Sequence, residues 1–238
     1  MPPHVRYKIN KQLDAKMALV FWGWKTGGID FTNNIIGVHP ELKILKNKSK
    51  ILQKKIINSY FDAFYKKHTK YLKGHIKKTQ SGWNKVEKRY FKEVTKIFRN
   101  HSFPKGKYWG YMSILNCNPR FLNNKTFQFF YYRPQWAIFV TAHELLHFIF
   151  YDYCLKKYPK IFKRLNPNCG LFWDLAEIFN TIILTRKEFE KIHQVKGVVS
   201  YPKHKKIVKK IERKYQDKKI QLDDLIKDIL KELKKTGV

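Results

Sequence analysis

Cysteine and long apolar runs are scarce in this sequence. Its 238 residues include three cysteines, Cys117, Cys154 and Cys169, which are too few and too unevenly spaced for a disulfide framework or a thiolate zinc cage. The segment most like a signal sequence, MALVFWGW at 17–24, is too short to cross a bilayer and lacks a small-residue cleavage site. We therefore expect a cytoplasmic protein in a reducing compartment.

Acidic residues and arginine are also in short supply. The 18 acidic residues face 50 lysines and arginines, so the formal net charge is +32. Such an excess is typical of proteins that bind nucleic acid or an anionic surface, because basic side chains displace counterions from phosphates. Few of these basic residues are arginine, however, and arginine supplies the bidentate contacts that read nucleic acid. We favour a biased composition as the source of the charge, which makes nucleic acid or an anionic surface the less favoured partner.

The spacing of apolar residues predicts a helix-rich α+β protein. Apolar residues recur at helical intervals among lysines from Glu41 to about Leu72, and again from about Ser81 to Arg99. The segment HSFPKGK at 101–107 interrupts this pattern and marks a boundary. The chain is therefore predicted to have three parts: a basic helical region at 1–105, a core at 106–195 and a charged helical tail at 196–238.

The predicted core contains strands followed by two apolar helices. Aromatic and β-branched residues at 108–115 and 126–132 are typical of a half-buried sheet, and we predict that these strands form a small antiparallel sheet. Pro134 then begins a helix that runs to about Lys157, since proline is tolerated in a first helical turn. A second apolar helix, LFWDLAEIFNTIIL, occupies 171–184.

Three titratable residues interrupt the apolar run FVTAHELLHFIFYDY at 139–153. His143, Glu144 and His147 form the pattern H-E-x-x-H, and residues four apart on a helix lie one turn apart, so both imidazoles can converge on one point. Zn²⁺ binds neutral imidazole nitrogens and keeps a position open for water, from which a nearby carboxylate can accept a proton. The pattern predicts a zinc site with Glu144 as general base. The alternative is a pair of core histidines hydrogen-bonded to the backbone or to Glu144.

The second helix offers a third ligand. Asp174 and Glu177 are three residues apart and share a face, along which Asn180 and Thr181 follow. In an isolated segment this stripe would be the solvated face of an amphipathic helix. Beside the upstream motif, we predict Glu177 as the third zinc ligand, with Asp174 as the less favoured choice. The other acid would orient a metal-bound imidazole.

This order of elements resembles the gluzincin branch of zinc-dependent metallopeptidases, in the compact form of the minigluzincins and the ImmA/IrrE-type peptidases. The resemblance covers residues 108–195 and implies a zincin-like core that hydrolyses peptide bonds. It also implies that His143, His147 and Glu177 bind zinc and that Glu144 is the general base and acid.

One position departs from the pattern of this group. The group has Glu-x-x-x-Asp in the second helix, whereas Thr181 stands where the aspartate would be. Asp174, one turn earlier, or Asn180 could take over the contact that this aspartate makes around the metal ligands.

The resemblance further implies a polypeptide substrate that pairs with strand 126–132 as an edge strand. Peptide hydrolysis also needs a hydrogen-bond donor for the developing oxyanion. The downstream candidates are His193, Tyr201 and His204, and the segment SYPKH at 200–204 is the most motif-like. We predict Tyr201 and His204 for this role, with ordinary loop residues as the alternative. The oligomeric state is not predicted.

Overall fold

The computed structural model describes residues 2–99, 101–132, 134–198, 200–216 and 218–236. Most of these residues are helical and a few form short strands, so the prediction of a helix-rich α+β protein is confirmed. The strands are β1 (Val5–Ile9), β2 (Lys25–Thr26), β3 (Ile29–Asp30), β4 (Tyr108–Ser113), β5 (Arg120–Phe121) and β6 (Thr126–Phe130). The α-helices are α1 (Lys11–Phe21), α2 (Phe31–Val38), α3 (Lys50–Phe98), α4 (Pro134–Lys157), α5 (Pro159–Phe162), α6 (Gly170–Leu184), α7 (Lys187–His193), α8 (Lys205–Tyr215) and α9 (Leu222–Lys235), and 3-10 turns occur at Pro40–Leu45 and Pro202–His204.

Contacts divide the chain into two compact units. The sheet unit consists of His4–Lys85 and Lys107–Thr141, and the helical unit consists of Val86–Gly106 and Ala142–Val238 with the residues before His4. The helices α3 and α4 each contribute residues to both units. In the described part of the chain, no helix combines the length and the apolar character needed to cross a membrane.

The sheet unit contains a four-stranded mixed sheet in the order β1-β4-β6-β5. Strands β4 and β6 are parallel, with Trp109 opposite Thr126, so the predicted antiparallel pairing of 108–115 with 126–132 is wrong. The reason lies in the connection between them. It carries β5, which pairs antiparallel with β6 on the side away from β4. The chain therefore reverses direction twice, and β6 runs in the same direction as β4.

The prediction that 126–132 is an edge strand is also wrong, because β6 has β4 on one side and β5 on the other. Beyond the two residues of β5, the same side of β6 stays occupied. The Gln128 amide donates to the Pro119 carbonyl at 2.8 Å, and the Phe130 amide donates to Asn118 Oδ1 at 2.8 Å. The strand order leaves β1 and β5 at the edges of the sheet.

The outer edge of β1 is covered by a side chain. Gln80 of α3 accepts a hydrogen bond from the Tyr7 amide at 3.1 Å and donates one to the Val5 carbonyl at 3.0 Å. A side-chain amide thus makes the two bonds that a neighbouring strand would make, and this protects the edge from pairing with another chain.

Helix α3 is continuous over 49 residues, whereas the sequence predicts two helices separated between Leu72 and Ser81. The intervening segment KGHIKKTQ is polar and contains Gly74, which weakens the apolar pattern. It contains no proline, so every backbone N–H can still donate within the helix. Leu72, Thr79 and Trp83 are buried and anchor this stretch against the sheet unit.

The helical unit is built around α6, whose residues from Phe172 to Leu184 are all buried. Helices α8 and α9 pack against α6 with apolar stripes that include Ile211 and Ile229. The segment predicted as a tail at 196–238 therefore covers the helix that carries Glu177, and its exposed faces hold the charged residues.

The sheet unit encloses an acidic side chain. Asp14 is fully buried and accepts hydrogen bonds at Oδ2 from the Tyr65 hydroxyl at 2.5 Å and the Ile114 amide at 2.9 Å. Its Oδ1 accepts a hydrogen bond from the Gln128 side-chain amide. Burial raises the pKa of Asp14 to about 6, because loss of water around the carboxylate outweighs these hydrogen bonds.

This shift predicts how stability depends on pH. The folded state binds the Asp14 proton more tightly than the unfolded state does. The stability that protonation of Asp14 contributes is therefore complete below pH 3.8 and is lost as pH rises through about 6. In Asp14→Asn, whose amide can face Gln128 after that side chain turns over, the loss should disappear. Between pH 4 and 7.5, the free energy of unfolding of this variant should rise by about 2–3 kcal/mol relative to the wild type.

Urea denaturation at a series of pH values measures this difference. Asp62→Asn is the matched control, since Asp62 is exposed and paired with Lys11, and its difference from the wild type should show no such rise. A flat or falling difference for Asp14→Asn would contradict the assignment.

Candidate metal centre

Helix α4 brings the two histidines of the H-E-x-x-H motif together. His143 Nε2 and His147 Nε2 lie 2.9 Å apart, as expected for residues separated by one helical turn. The His147 side chain is fully buried, whereas the His143 side chain is 20% exposed. The pair therefore has one enclosed imidazole and one that solvent reaches.

Glu177 of α6 faces both imidazoles. Its Oε2 lies 3.3 Å from His143 Nε2 and its Oε1 lies 3.2 Å from His147 Nε2. Burial by itself would raise the pKa of Glu177, but the charge of His147 and the hydrogen bonds from both imidazoles outweigh it and hold this pKa well below its usual value. The residue predicted as the third ligand is thus in contact with the other two.

These three residues fit the requirements of a zinc site. Their ligand atoms all lie within 4.8 Å of one another, and two donors about 2.05 Å from a tetrahedral ion would be separated by about 3.3 Å, close to the observed spacings. Two imidazoles and a carboxylate form a donor set that catalytic zinc sites use. In the described part of the chain, no other group of three or more His, Cys, Asp or Glu residues converges in this way.

The side chain of Asn180 contacts the backbone of α4. Its Nδ2 donates to the carbonyl oxygen of His143 at 2.9 Å, and the residue is fully buried. This bond joins α6 to α4 at the level of the first histidine. Asn180 therefore contacts the main chain of His143, and its role around the metal ligands stays a prediction.

Asp174 lies one turn before Glu177 on α6 and holds a different imidazole. Its Oδ1 accepts a hydrogen bond from His204 Nε2 at 2.6 Å. The same oxygen forms an ion pair with Lys203 Nζ at 2.5 Å. Burial would raise the pKa of Asp174, but the hydrogen bonds from His204 and Lys203 outweigh it and lower this pKa. The imidazole that Asp174 contacts is thus that of His204 and not that of His143 or His147.

The segment 201–204 packs against the same end of α6. The Tyr201 ring lies 4.9 Å from the Trp173 ring and 5.7 Å from the His204 ring, measured between centroids. His204 is buried. Because Asp174 and Glu177 share a face of α6, the His204 side chain lies about one helical turn from the proposed third ligand. Tyr201 and His204 are therefore next to each other, and their role as oxyanion donors stays a prediction.

Glu144 and His193 are the remaining predicted residues. Glu144 directly follows His143 in α4. The residue is 4% exposed, so its carboxylate is buried. His193 Nε2 lies 2.9 Å from the Leu184 carbonyl oxygen, and its Nδ1 accepts a hydrogen bond from the Val195 amide. His193 thus connects the end of α6 to the end of α7, which is a structural role.

Two contacts at the site were not predicted from the sequence. The Tyr151 ring stacks on the His147 ring at 5.6 Å and 13°, and its hydroxyl donates to the Pro167 carbonyl at 2.8 Å. Its spacing, four residues after His147, is a signal that could have revealed this contact. The ion pair of Lys203 with Asp174 has no comparable signal, because it joins distant parts of the sequence.

Comparison of this chain with family models, with curated proteins and with solved structures gave no match.

The geometry predicts the binding of one zinc ion per chain. His147→Ala should bring bound zinc close to zero at equimolar metal, because it removes a buried ligand, and it should abolish any rise in the unfolding temperature caused by zinc. Elemental analysis after equilibrium dialysis and thermal unfolding with and without zinc are the measurements. His4→Ala, which changes an exposed histidine, should leave both results unchanged, and zinc retained by His147→Ala would refute the site.

Proposed function

We propose that this protein is a zinc-dependent metallopeptidase. The observation that carries the proposal is the convergence of His143, His147 and Glu177, with their ligand atoms within 4.8 Å of one another. The two histidines share α4 with the motif glutamate Glu144, as in the gluzincin-like enzymes that the sequence resembles. The zincin-like core that this resemblance implies is part of the proposal.

The number of converging ligands favours a catalytic over a structural metal. Structural zinc sites are closed by four protein ligands, whereas catalytic sites use three and leave a position for water or substrate. In the described part of the chain, three donors converge, and the His143 side chain is 20% exposed. The observed set therefore supports chemistry at the site over a second candidate function, a Lys-rich nucleic-acid or membrane-surface binding protein whose zinc site is structural or vestigial.

Zinc held by these three residues would supply Lewis acidity, which polarises a peptide carbonyl and lowers the pKa of water towards about 7. Glu144 would then accept the proton of the attacking water and deliver it to the leaving nitrogen. Its burial suits this role, because a base that is kept away from bulk water exchanges its proton with the reacting groups.

His204 is the proposed donor to the developing oxyanion. Its Nε2–H donates to Asp174, which fixes the ring orientation. In the imidazolium form Nδ1 also carries a proton, and this second N–H would be the donor to the oxyanion. Lys203 bonds the same carboxylate oxygen, so Asp174 stays ionised and holds the imidazole in place. Tyr201, whose ring packs beside His204, is the second proposed donor.

The proposed substrate is a polypeptide, and the strand order changes where it could add to the sheet. Strand β6 has neighbours on both sides, and the edge of β1 is bonded to Gln80. The predicted pairing of the substrate with 126–132 is therefore withdrawn, and the proposal keeps the chemical class of the substrate, a polypeptide.

We place the proposed enzyme in the cytoplasm. None of its three cysteines forms a disulfide, and Cys117 and Cys154 are buried. Buried thiols without disulfides are typical of proteins in a reducing compartment.

Glu144→Gln should separate metal binding from catalysis. It keeps the shape of the side chain but removes the base, so hydrolysis should fall roughly 100- to 10,000-fold while zinc content stays at one per chain. Mass spectrometry of a mixed peptide library incubated with zinc-loaded protein measures cleavage. Glu190→Gln, on α7, is the matched control and should retain activity. Cleavage by Glu144→Gln at the wild-type rate, or none by zinc-loaded wild type, would refute the proposal.

His204→Ala should lower kcat roughly 100- to 1,000-fold, as expected for loss of an oxyanion donor, with little change in KM or in zinc content. His204→Gln, which retains an N–H donor, should recover part of the loss. Steady-state kinetics on a peptide cleaved in the library measure both values. Equal kcat for His204→Ala and the wild type would exclude this role and leave the metal assignment intact.

A further inference from the structure

Within the sheet unit, one face of α3 carries lysines and no acidic residues. The stretch 63–86 contains no Asp or Glu. Its seven lysines are all exposed, and none forms an ion pair in the part of the chain that the structure describes. We call this surface the basic face; its lysines are Lys66, Lys67, Lys70, Lys73, Lys77, Lys78 and Lys85.

Aromatic rings line one border of the basic face. On α3 they recur at intervals of three or four residues, and two more come from the turn after β6. The Tyr131 ring lies within 6.5 Å of the rings of Phe64, Tyr71 and His75. The outermost rings are accessible, since Tyr71 is 50% exposed and Tyr132 is 60% exposed. This aromatic stripe consists of Tyr60, Phe64, His68, Tyr71, His75, Tyr131 and Tyr132.

The basic face and the aromatic stripe are contiguous. Lys67 lies four residues before Tyr71 and Lys78 lies three residues after His75, so each is a neighbour of the stripe on the helix surface. Space is open between them, because a Cβ added at Gly74 would meet no atom within 4 Å. Cations and accessible rings are thus presented side by side.

We propose that this surface binds single-stranded nucleic acid without sequence preference. The phosphates would lie along Lys67, Lys70 and Lys78, and bases would stack on Tyr71 and Tyr132, the combination that single-strand binding proteins use. An unpaired strand is required, because the base faces are covered in a duplex. Lysine suits this task, since binding without sequence readout needs positive charge rather than the bidentate geometry of arginine.

The length of the stripe sets the size of the site. From Tyr60 to His75 the helix rises about 22 Å, which corresponds to roughly six nucleotides at the 3.4 Å spacing of a stacked strand. A helix that lies in a membrane surface enters it through a continuous apolar face, whereas the accessible rings of the stripe are the tyrosines Tyr71 and Tyr132, whose flat faces suit base stacking. The stripe therefore favours nucleic acid over an anionic bilayer as the occupant.

Binding of fluorescein-labelled (dT)12 to the full chain, followed by anisotropy between 50 and 200 mM NaCl, tests the proposal. With three phosphate contacts, log K should fall against log salt with a slope of about −2, and Lys67→Gln should reduce that slope by about 0.7. Tyr71→Ala should weaken binding roughly 5- to 100-fold through the loss of base stacking. Tyr71→Phe, which keeps the ring, should bind as the wild type does.

The controls separate this site from binding caused by the overall charge. Lys160→Gln and Ile161→Ala change an exposed lysine and an apolar side chain that is 53% exposed, both in the helical unit, and should leave the affinity unchanged. The proposal is overturned by no binding at 50 mM NaCl, or by equal affinity for a duplex of the same length. It is also overturned if Tyr71→Ala has no effect, or if inorganic polyphosphate or phosphatidylserine vesicles bind as tightly as (dT)12.

Discussion

A carboxylate in a protein interior is stable only when hydrogen-bond donors or cations surround it. Asp14, Asp174 and Glu177 are each buried, and each is bonded by side chains from other elements of the same unit. Removing one of these partners would leave a buried carboxylate with fewer donors or cations around it, which destabilises the fold. The positions of the elements around these three carboxylates are therefore coupled, and this coupling organises both units.

Two of these carboxylates lie on α6, and this helix makes most of the contacts that hold the candidate metal centre together. Glu177 faces the imidazoles of α4, Asp174 faces His204, and Asn180 bonds the backbone of His143. These residues recur at intervals of three along one stripe of α6, while α8 and α9 pack against the same helix. The C-terminal helices thus fix the place of a ligand that they do not themselves provide.

The helices and the convergence of the two motif histidines could be predicted from the sequence because their signals are local. Pro134 begins α4 as predicted, and the four-residue spacing of His143 and His147 places both side chains on one face. Strand direction could not be predicted in this way. It depends on β5, whose two residues have no alternating pattern, and on β1, which pairs with a strand about 100 residues later. Such pairings follow from tertiary contacts and leave no periodic trace in the sequence.

The net charge of +32 does not show that lysines on different helices have different surroundings. A biased composition raises the number of lysines everywhere, and in the helical unit lysines meet acids, as Lys210 meets Glu232 and Lys214 meets Asp228. Asp228 and Glu232 lie four residues apart on α9, so both can face these lysines. On the basic face of α3 no such acids occur over 63–86. Composition accounts for the abundance of lysine, whereas the position of accessible tyrosines beside a helical face without acids over 63–86 is a local arrangement of the fold.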